Sequence, residues 1–251
     1  ITHIVIDPEG LYAERWDTLA QPIFWKSIMN LSSDTCVINN AMSREVLGYV
    51  QRIKWQQQTE EEKKSFKDSI RLDFCLEHET KIYVTVGKKD FYLIEEVIPS
   101  ISRAIEIFQD NKVDPWFAQA ILLIESPGKL KYSSTGAFGS FQLMKSVARS
   151  FGLTVNRYVD ERKDFDKSAF AASQLIKTVC VPNARRILCK KDIDPSGDEL
   201  WFKLLVLHIY HAGAKNVEGL LEQLNEPLEG MSLIQWMWRN EWGNFKNASQ
   251  N

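Results

Sequence analysis

One stretch constrains the fold more than any other. Residues 114–128 read Asp-Pro-Trp-Phe-Ala-Gln-Ala-Ile-Leu-Leu-Ile-Glu-Ser-Pro-Gly. Asp114 offers a capping side chain, and Pro115 stands at the first helical position, where its missing N–H is no loss. The helix that follows, residues 116–124, is apolar almost all round, so it must be buried. Pro127-Gly128 stops it. Such a helix needs a shell of others. Ile101, Ala104, Ile105 and Phe108 form one helical stripe, and further stripes run over residues 168–178, 200–210 and 216–224. Strand signals are almost absent beyond Pro99, so this part reads as all-α.

The first 98 residues are mixed in character. Val46, Leu47, Val50, Ile53 and Lys54 fall at helical spacing, which predicts a helix within residues 43–57. Thr59 with Glu62 three residues on resembles a capping box, opening a helix through Phe66, Ile70 and Phe74. The charge run over residues 60–64 is then a solvated helix face. Residues 81–87 alternate and are β-branched, which predicts a short strand. The apolar positions of the 43–57 segment need something to pack on, so bracing is the expected role of this lobe.

Composition removes several function classes. The 251 residues carry 31 Lys+Arg against 33 Asp+Glu, a net charge of −2, so no global footprint for nucleic acid or a charged membrane exists. No apolar run approaches the ~20 residues of a membrane span. Cys36, Cys75, Cys180 and Cys189 show no C-x-x-C spacing, which argues against structural zinc. Whether Cys180 pairs with Cys189, or Cys36 with Cys75, or all stay free thiols is left open by the sequence. His208 and His211 are three apart, but no carboxylate or cysteine stands at partner spacing, so no metal and no cofactor are expected.

Three pieces carry chemistry. Glu125 closes the apolar helix; a carboxyl group there is either paired, or raised in pKa as a general acid requires, or simply exposed at a fraying end. Residues 133–144 read Ser-Ser-Thr-Gly-Ala-Phe-Gly-Ser-Phe-Gln-Leu-Met. Gly136 and Gly139 permit a tight turn or close approach by a ligand, and Gln142 is expected just inside a helix that continues through Ala148. This is no phosphate loop, because no Lys-Ser/Thr directly follows Gly139. The third piece is Ile209-Tyr210-His211-Ala212-Gly213, an apolar helix end with Gly213 as its C-cap.

Together these motifs resemble the soluble lytic transglycosylases, whose catalytic domain has a goose-lysozyme-like fold. The family pattern has Glu-Ser at the end of a buried helix, then Ser-x-x-Gly-Ala-x-Gly-x-x-Gln-x-Met, then Ala-Tyr-Asn-Ala-Gly. Glu125-Ser126, Ser133 to Met144, and Ile209 to Gly213 follow it in order. Asp166-Lys167-Ser168 resembles the family's Asp-Pro-x-x-Ser helix start, and Glu241 with Phe245 its closing Glu-Thr-x-x-Tyr. Departures are His211 for Asn, Ser140-Phe141 for Leu-Met, Phe245 for Tyr, and Pro127-Gly128 after Glu125-Ser126.

The resemblance implies a mostly helical, all-α chain within the α+β lysozyme-like superfamily. Its SLT-like catalytic domain would span residues 99–251, behind an N-terminal, mainly helical lobe over 1–98. It implies cleavage of the MurNAc-β-1,4-GlcNAc bond of peptidoglycan with formation of 1,6-anhydro ends. Glu125 would act as acid and then base. Ser133 and Gln142 would hold the sugar or its acetamido group, and Tyr210 would lie near Glu125. Met144 would line the groove or fill the core, and Glu241 would touch substrate or tie down the last helix. Ser126 would support the turn, since no His-Asp relay is recognisable beside it. Alternatives are a water-using goose-type lysozyme-like hydrolase and a non-catalytic peptidoglycan-binding module. The expected partner is the glycan strand, met by a monomer in the bacterial cell envelope, periplasmic or associated with the outer membrane. A lipid anchor on a segment before Ile1 is compatible with the membrane-bound relatives.

Overall fold

The computed structural model describes residues 8–91, 94–124, 133, 136–193, 199–243 and 245. The chain divides into two compact units between Tyr92 and Leu93.

After the short helix α1 (Pro8–Ala13), the first unit runs α2 (Ala20–Asn30), β1 (Thr35–Asn40), β2 (Val46–Gln51), α3 (Arg52–Gln56), α4 (Glu60–Asp73) and β3 (Ile82–Val86). Its centre is a three-stranded antiparallel sheet of order β2-β1-β3. The middle strand is buried on both faces, as alternation requires when a helix covers each side. Val37 packs with Phe24 and Ile28 of α2. Ile38, one residue on and so on the opposite face, packs with Leu47 and Ile82 against Phe66 and Ile70 of α4.

Helices are plentiful in this unit, but the helix expected within residues 43–57 is half strand. Val46, Tyr49 and Val50 are β-branched or aromatic residues that suit a pleated surface. Backbone pairing with β1, Thr35 opposite Gln51 and Val37 opposite Tyr49, outweighs their helical spacing. Ile38 opposes Gly48 while Asn39 opposes Val46, so Leu47 is the extra residue of a bulge, and it turns inward to the core. Ile53 stands 62% exposed on α3, which removes it from any bracing stripe.

Two local expectations hold. Thr59 Oγ1 accepts from the Glu62 N–H at 3.2 Å while the Glu62 carboxylate accepts from the Thr59 N–H at 2.7 Å, a complete capping box. Residues 81–87 contain β3. The helix opened by Thr59 ends at Asp73, with Phe74 as its exposed C-cap.

The second unit is helical among the described residues, its only strand-like pairs being the isolated bridges Phe138–Leu143, Val155–Asp160 and Trp242–Phe245. It runs α5 (Ile94–Asp110), α6 (Pro115–Ile124), α7 (Lys145–Ser150), α8 (Phe165–Leu175), α9 (Val181–Cys189), α10 (Leu200–Ala212), α11 (Ala214–Glu222) and α12 (Gly230–Arg239), with a π-helical turn, Ile176–Cys180, joining α8 to α9. The stripe Ile101, Ala104, Ile105 and Phe108 is buried on α5. Asp114 caps α6 by accepting from the Trp116 N–H at 2.9 Å, and Phe117, Ala118, Ile121 and Leu122 are buried. α10 is the innermost helix, buried without a break from Leu204 to Ile209. Small side chains on α8 (Ser168, Ala169, Ala171, Ala172) are all buried where it packs on α5.

The start of α8 differs from the expectation. Asp164, not Asp166, is the N-cap, accepting from the Lys167 N–H at 3.1 Å. Asp166 instead receives two bonds from Arg103 of α5, at 3.1 and 2.7 Å. All four cysteines are free thiols. Cys180 is buried within the π-helical turn, and burial pushes its thiol up to about 12. Among the described residues no helix is long and apolar enough to cross a membrane.

Candidate functional site

The glycine-bearing segment after residue 133 folds into a pinned turn. Phe138 and Leu143 exchange both backbone hydrogen bonds at 3.1 Å, and the Gln142 N–H donates to the Gly139 carbonyl at 3.0 Å. The turn demands left-handed backbone at three places: Gly136 (φ 89°), Gly139 (φ 87°) and Gln142 (φ 45°). Glycine takes this region freely, but glutamine is strained in it. Gln142 therefore lies in the turn rather than inside a helix as expected, and α7 begins only at Lys145. Its side-chain amide donates back to the Gly139 carbonyl at 2.9 Å, which fixes the strained residue.

Ser133 closes the near side. Its Oγ accepts from the Ala137 N–H at 2.9 Å, and its own N–H donates to the Ala137 carbonyl at 2.9 Å. Tyr210 closes the far side. It sits half-buried at the end of α10, and its hydroxyl donates to the Phe141 carbonyl at 2.6 Å. A residue distant in sequence, Tyr210, thus meets the Ser133–Gln142 segment at one turn. Met144 follows at the N-cap of α7, 41% exposed, which takes it out of the core.

Phe141 faces inward. It is fully buried, with ring centroids 5.9 Å from Phe108 and 5.6 Å from Phe165. The family departure at Ser140-Phe141 is thus, at Phe141, a core substitution.

The turn is clamped from behind by a pair that motif reading missed. Arg162 is buried, only 4% exposed, beside a partly buried Asp160. Its Nε and Nη2 donate to the two Asp160 oxygens at 2.9 and 2.7 Å. Its Nη1 donates to the Gly136 carbonyl at 3.0 Å and to the Leu143 carbonyl at 2.9 Å, the two ends of the turn. The guanidinium also lies 5.4 Å from the centroid of the Phe138 ring. The sequence signal was faint: one arginine in a polar run, distinguished by nothing in its spacing.

Glu241 is exposed just beyond α12. The segment behind it is seated by two contacts. The Trp242 indole occupies the place a Cβ on Gly219 of α11 would need. Phe245, buried, lies edge-on to His208 of α10 at 5.4 Å. Full burial, helped by the neighbouring His211, holds the His208 imidazole neutral, its pKa down to about 3. Among the described residues no group of three His, Cys, Asp or Glu side chains could hold a metal ion. Glu125 and Ser126 lie outside the described residues, directly after the last residue of α6.

Residues 102–223 match the family model of the transglycosylase SLT domain. The span opens within α5, takes in the turn, Arg162 and Tyr210, and ends just past α11, leaving Glu241 and Phe245 outside it. No curated protein and no solved structure matches the chain. SLT domains are lysozyme-like and belong to lytic transglycosylases, enzymes of peptidoglycan. Both the motif order and the helical shell around the pinned turn agree with the match, so that residues 102–223 of this chain are similar to a transglycosylase SLT domain.

Proposed function

We propose that the chain is a peptidoglycan lytic transglycosylase that cuts the MurNAc-β-1,4-GlcNAc bond and leaves 1,6-anhydro-MurNAc ends. Its catalytic domain spans residues 99–251. The family match carries the class of activity. The observation that carries the finer reading is the turn itself: it holds a strained Gln142 and is pinned by Ser133 at Ala137 and by Tyr210 at Phe141. Strain of this kind is retained where function needs it.

In this reading Glu125, which follows the last residue of α6 in the sequence, donates its proton to the glycosidic oxygen as the C1–O bond breaks. The 2-acetamido oxygen of the same sugar stabilises the positive charge at C1. The C6 hydroxyl oxygen then bonds to C1, and its proton returns to Glu125. No water is consumed, and one carboxyl group serves both steps, unlike the usual two-carboxylate scheme. Ser133 and Gln142 hold the acetamido sugar, Tyr210 orients the reacting centre, and Met144 and Glu241 line the groove.

Ion pairing makes three carboxylates poor candidates for a second acid. Asp160, the carboxylate linked to the turn, is committed to Arg162. Asp166 is held below the usual carboxylate range by its hydrogen bonds to Arg103. Arg186 and Lys190 hold Glu218 down to about 2. A water-activating base at near-neutral pH must be freer than these. The enzyme would meet its substrate in the cell envelope.

The test is mass spectrometry of purified peptidoglycan digested with the wild type and with Glu125→Gln. Expected are muropeptides lacking one water relative to hydrolytic products, from the wild type alone. Reducible ends would overturn the single-acid mechanism in favour of a hydrolase. Equal binding without cutting by both proteins would leave a peptidoglycan-binding module.

A further inference from the structure

We propose that Arg162, oriented by Asp160, is the positioning residue of the SLT site, setting the turn that presents Gln142 and Ser133 to the substrate; this rests on the reading of those two residues as sugar contacts.

A buried guanidinium is costly unless its donors are used. Arg162 uses them on the turn. Bonds to the Gly136 and Leu143 carbonyls span the turn from one end to the other. One carbonyl belongs to Gly136, the first of the three left-handed residues, and the other to Leu143, directly after the last, Gln142. Asp160 grips the opposite edge of the fork, so the guanidinium plane cannot rotate away. The Phe138 ring, at 5.4 Å, adds a further constraint on that plane.

A second contact, independent of the side chain, acts in the same sense. The backbone carbonyl of Arg162 lies against Gly139 so closely that a Cβ there would collide with it. Residue 162 thus holds the middle of the turn with its main chain and both ends with its side chain. Only arginine can do the second: lysine has one nitrogen and would keep the Asp160 pair while losing the two-carbonyl span. Misplacing a substrate-holding group by about 1 Å costs on the order of 10²-fold in rate.

The experiment is a double-mutant cycle of Arg162→Lys and Gln142→Ala. Turnover is followed as release of anhydro ends, with thermal unfolding and amide exchange of Phe138, Gln142 and Leu143 recorded alongside. Arg162→Lys is chosen because it keeps a cation beside Asp160 and so keeps the fold. Expected is a loss of roughly 10- to 100-fold in kcat/KM for Arg162→Lys alone. The same change in the Gln142→Ala background should cost clearly less, because two changes that act through one contact do not add and only the effect through Ser133 remains. Faster exchange at the three amides should accompany the loss, with a transition still cooperative. Equal losses in both backgrounds would overturn the proposal, making Arg162 a general support of the fold. So would full activity of Arg162→Lys. If the wild type releases no anhydro ends, the transglycosylase reading fails by itself. The cycle is then read from affinity for soluble glycan fragments, where additive effects overturn the positioning role and non-additive effects sustain it.

Discussion

The main-chain carbonyl of Arg162 occupies the space that a Cβ on Gly139 would fill. Gly139 also has φ 87°, so two separate demands fall on one residue. Gly136, three residues earlier, has φ 89° but open space where its Cβ would stand. The two glycines of one motif are therefore required for different reasons, and substitution separates them.

Gly136→Ala meets only the conformational cost of left-handed backbone, about 1–2 kcal/mol. Gly139→Ala adds a collision with main chain that cannot swing aside, and should cost clearly more, about 3 kcal/mol or above. Urea unfolding of the two variants side by side checks this. Equal midpoints would mean that the Arg162 segment yields without cost.

Phe141 predicts a second separation. Because its ring is buried between Phe108 and Phe165, Phe141→Ala should cost about 3–5 kcal/mol. Phe141→Met, the residue usual in the family pattern, refills most of the space and should cost only about 1–2 kcal/mol. Neither change alters the hydrogen bond from Tyr210, which is made to the Phe141 main chain. Thermal unfolding ranks the variants. A Phe141→Met protein as unstable as Phe141→Ala would show that ring stacking, rather than volume, holds this site.

His208 predicts a pH dependence. In the unfolded chain its imidazole titrates near 6.5; folded, burial lowers it to about 3. Between these values the unfolded state binds the extra proton. The contribution is thus complete above pH 6.5 and is lost as pH falls toward 3, at up to about 1.4 kcal/mol per pH unit. Denaturant midpoints measured from pH 7.5 down to pH 5 should fall for the wild type. In His208→Phe the decline should be shallower over the same range. Parallel declines in the two proteins would exclude His208 as the source.

Much of the helical architecture was legible residue by residue. Asp114-Pro115, the apolar run behind it and the Ile101–Phe108 stripe are local signals: caps and periodicity act within a few residues, so they survive into the fold. The Thr59–Glu62 box is of the same kind. The first unit's sheet was only partly readable. Residues 81–87 alternate and were plain, but 46–51 carry apolar residues at a spacing that suits either state. Pairing with Thr35–Asn40 decided between them, and pairing is a property of two segments.

The site divides in the same way. The sequence by itself determined the motif order, the glycines, and the identity of Ser133, Gln142 and Tyr210 as residues worth following, because residue type and spacing are one-dimensional quantities. It also determined that Glu125 directly follows an apolar run, residues 121–124. Only the tertiary structure decided that Gln142 sits strained in a turn outside the helix. It alone decided that Phe141 belongs to the core, that Asp164 and not Asp166 caps α8, and that Arg162 spans the turn. These are facts about which distant backbone groups need a donor once water is excluded. A buried carbonyl must be satisfied by whatever side chain the packing brings to it, and no local pattern records which one that is.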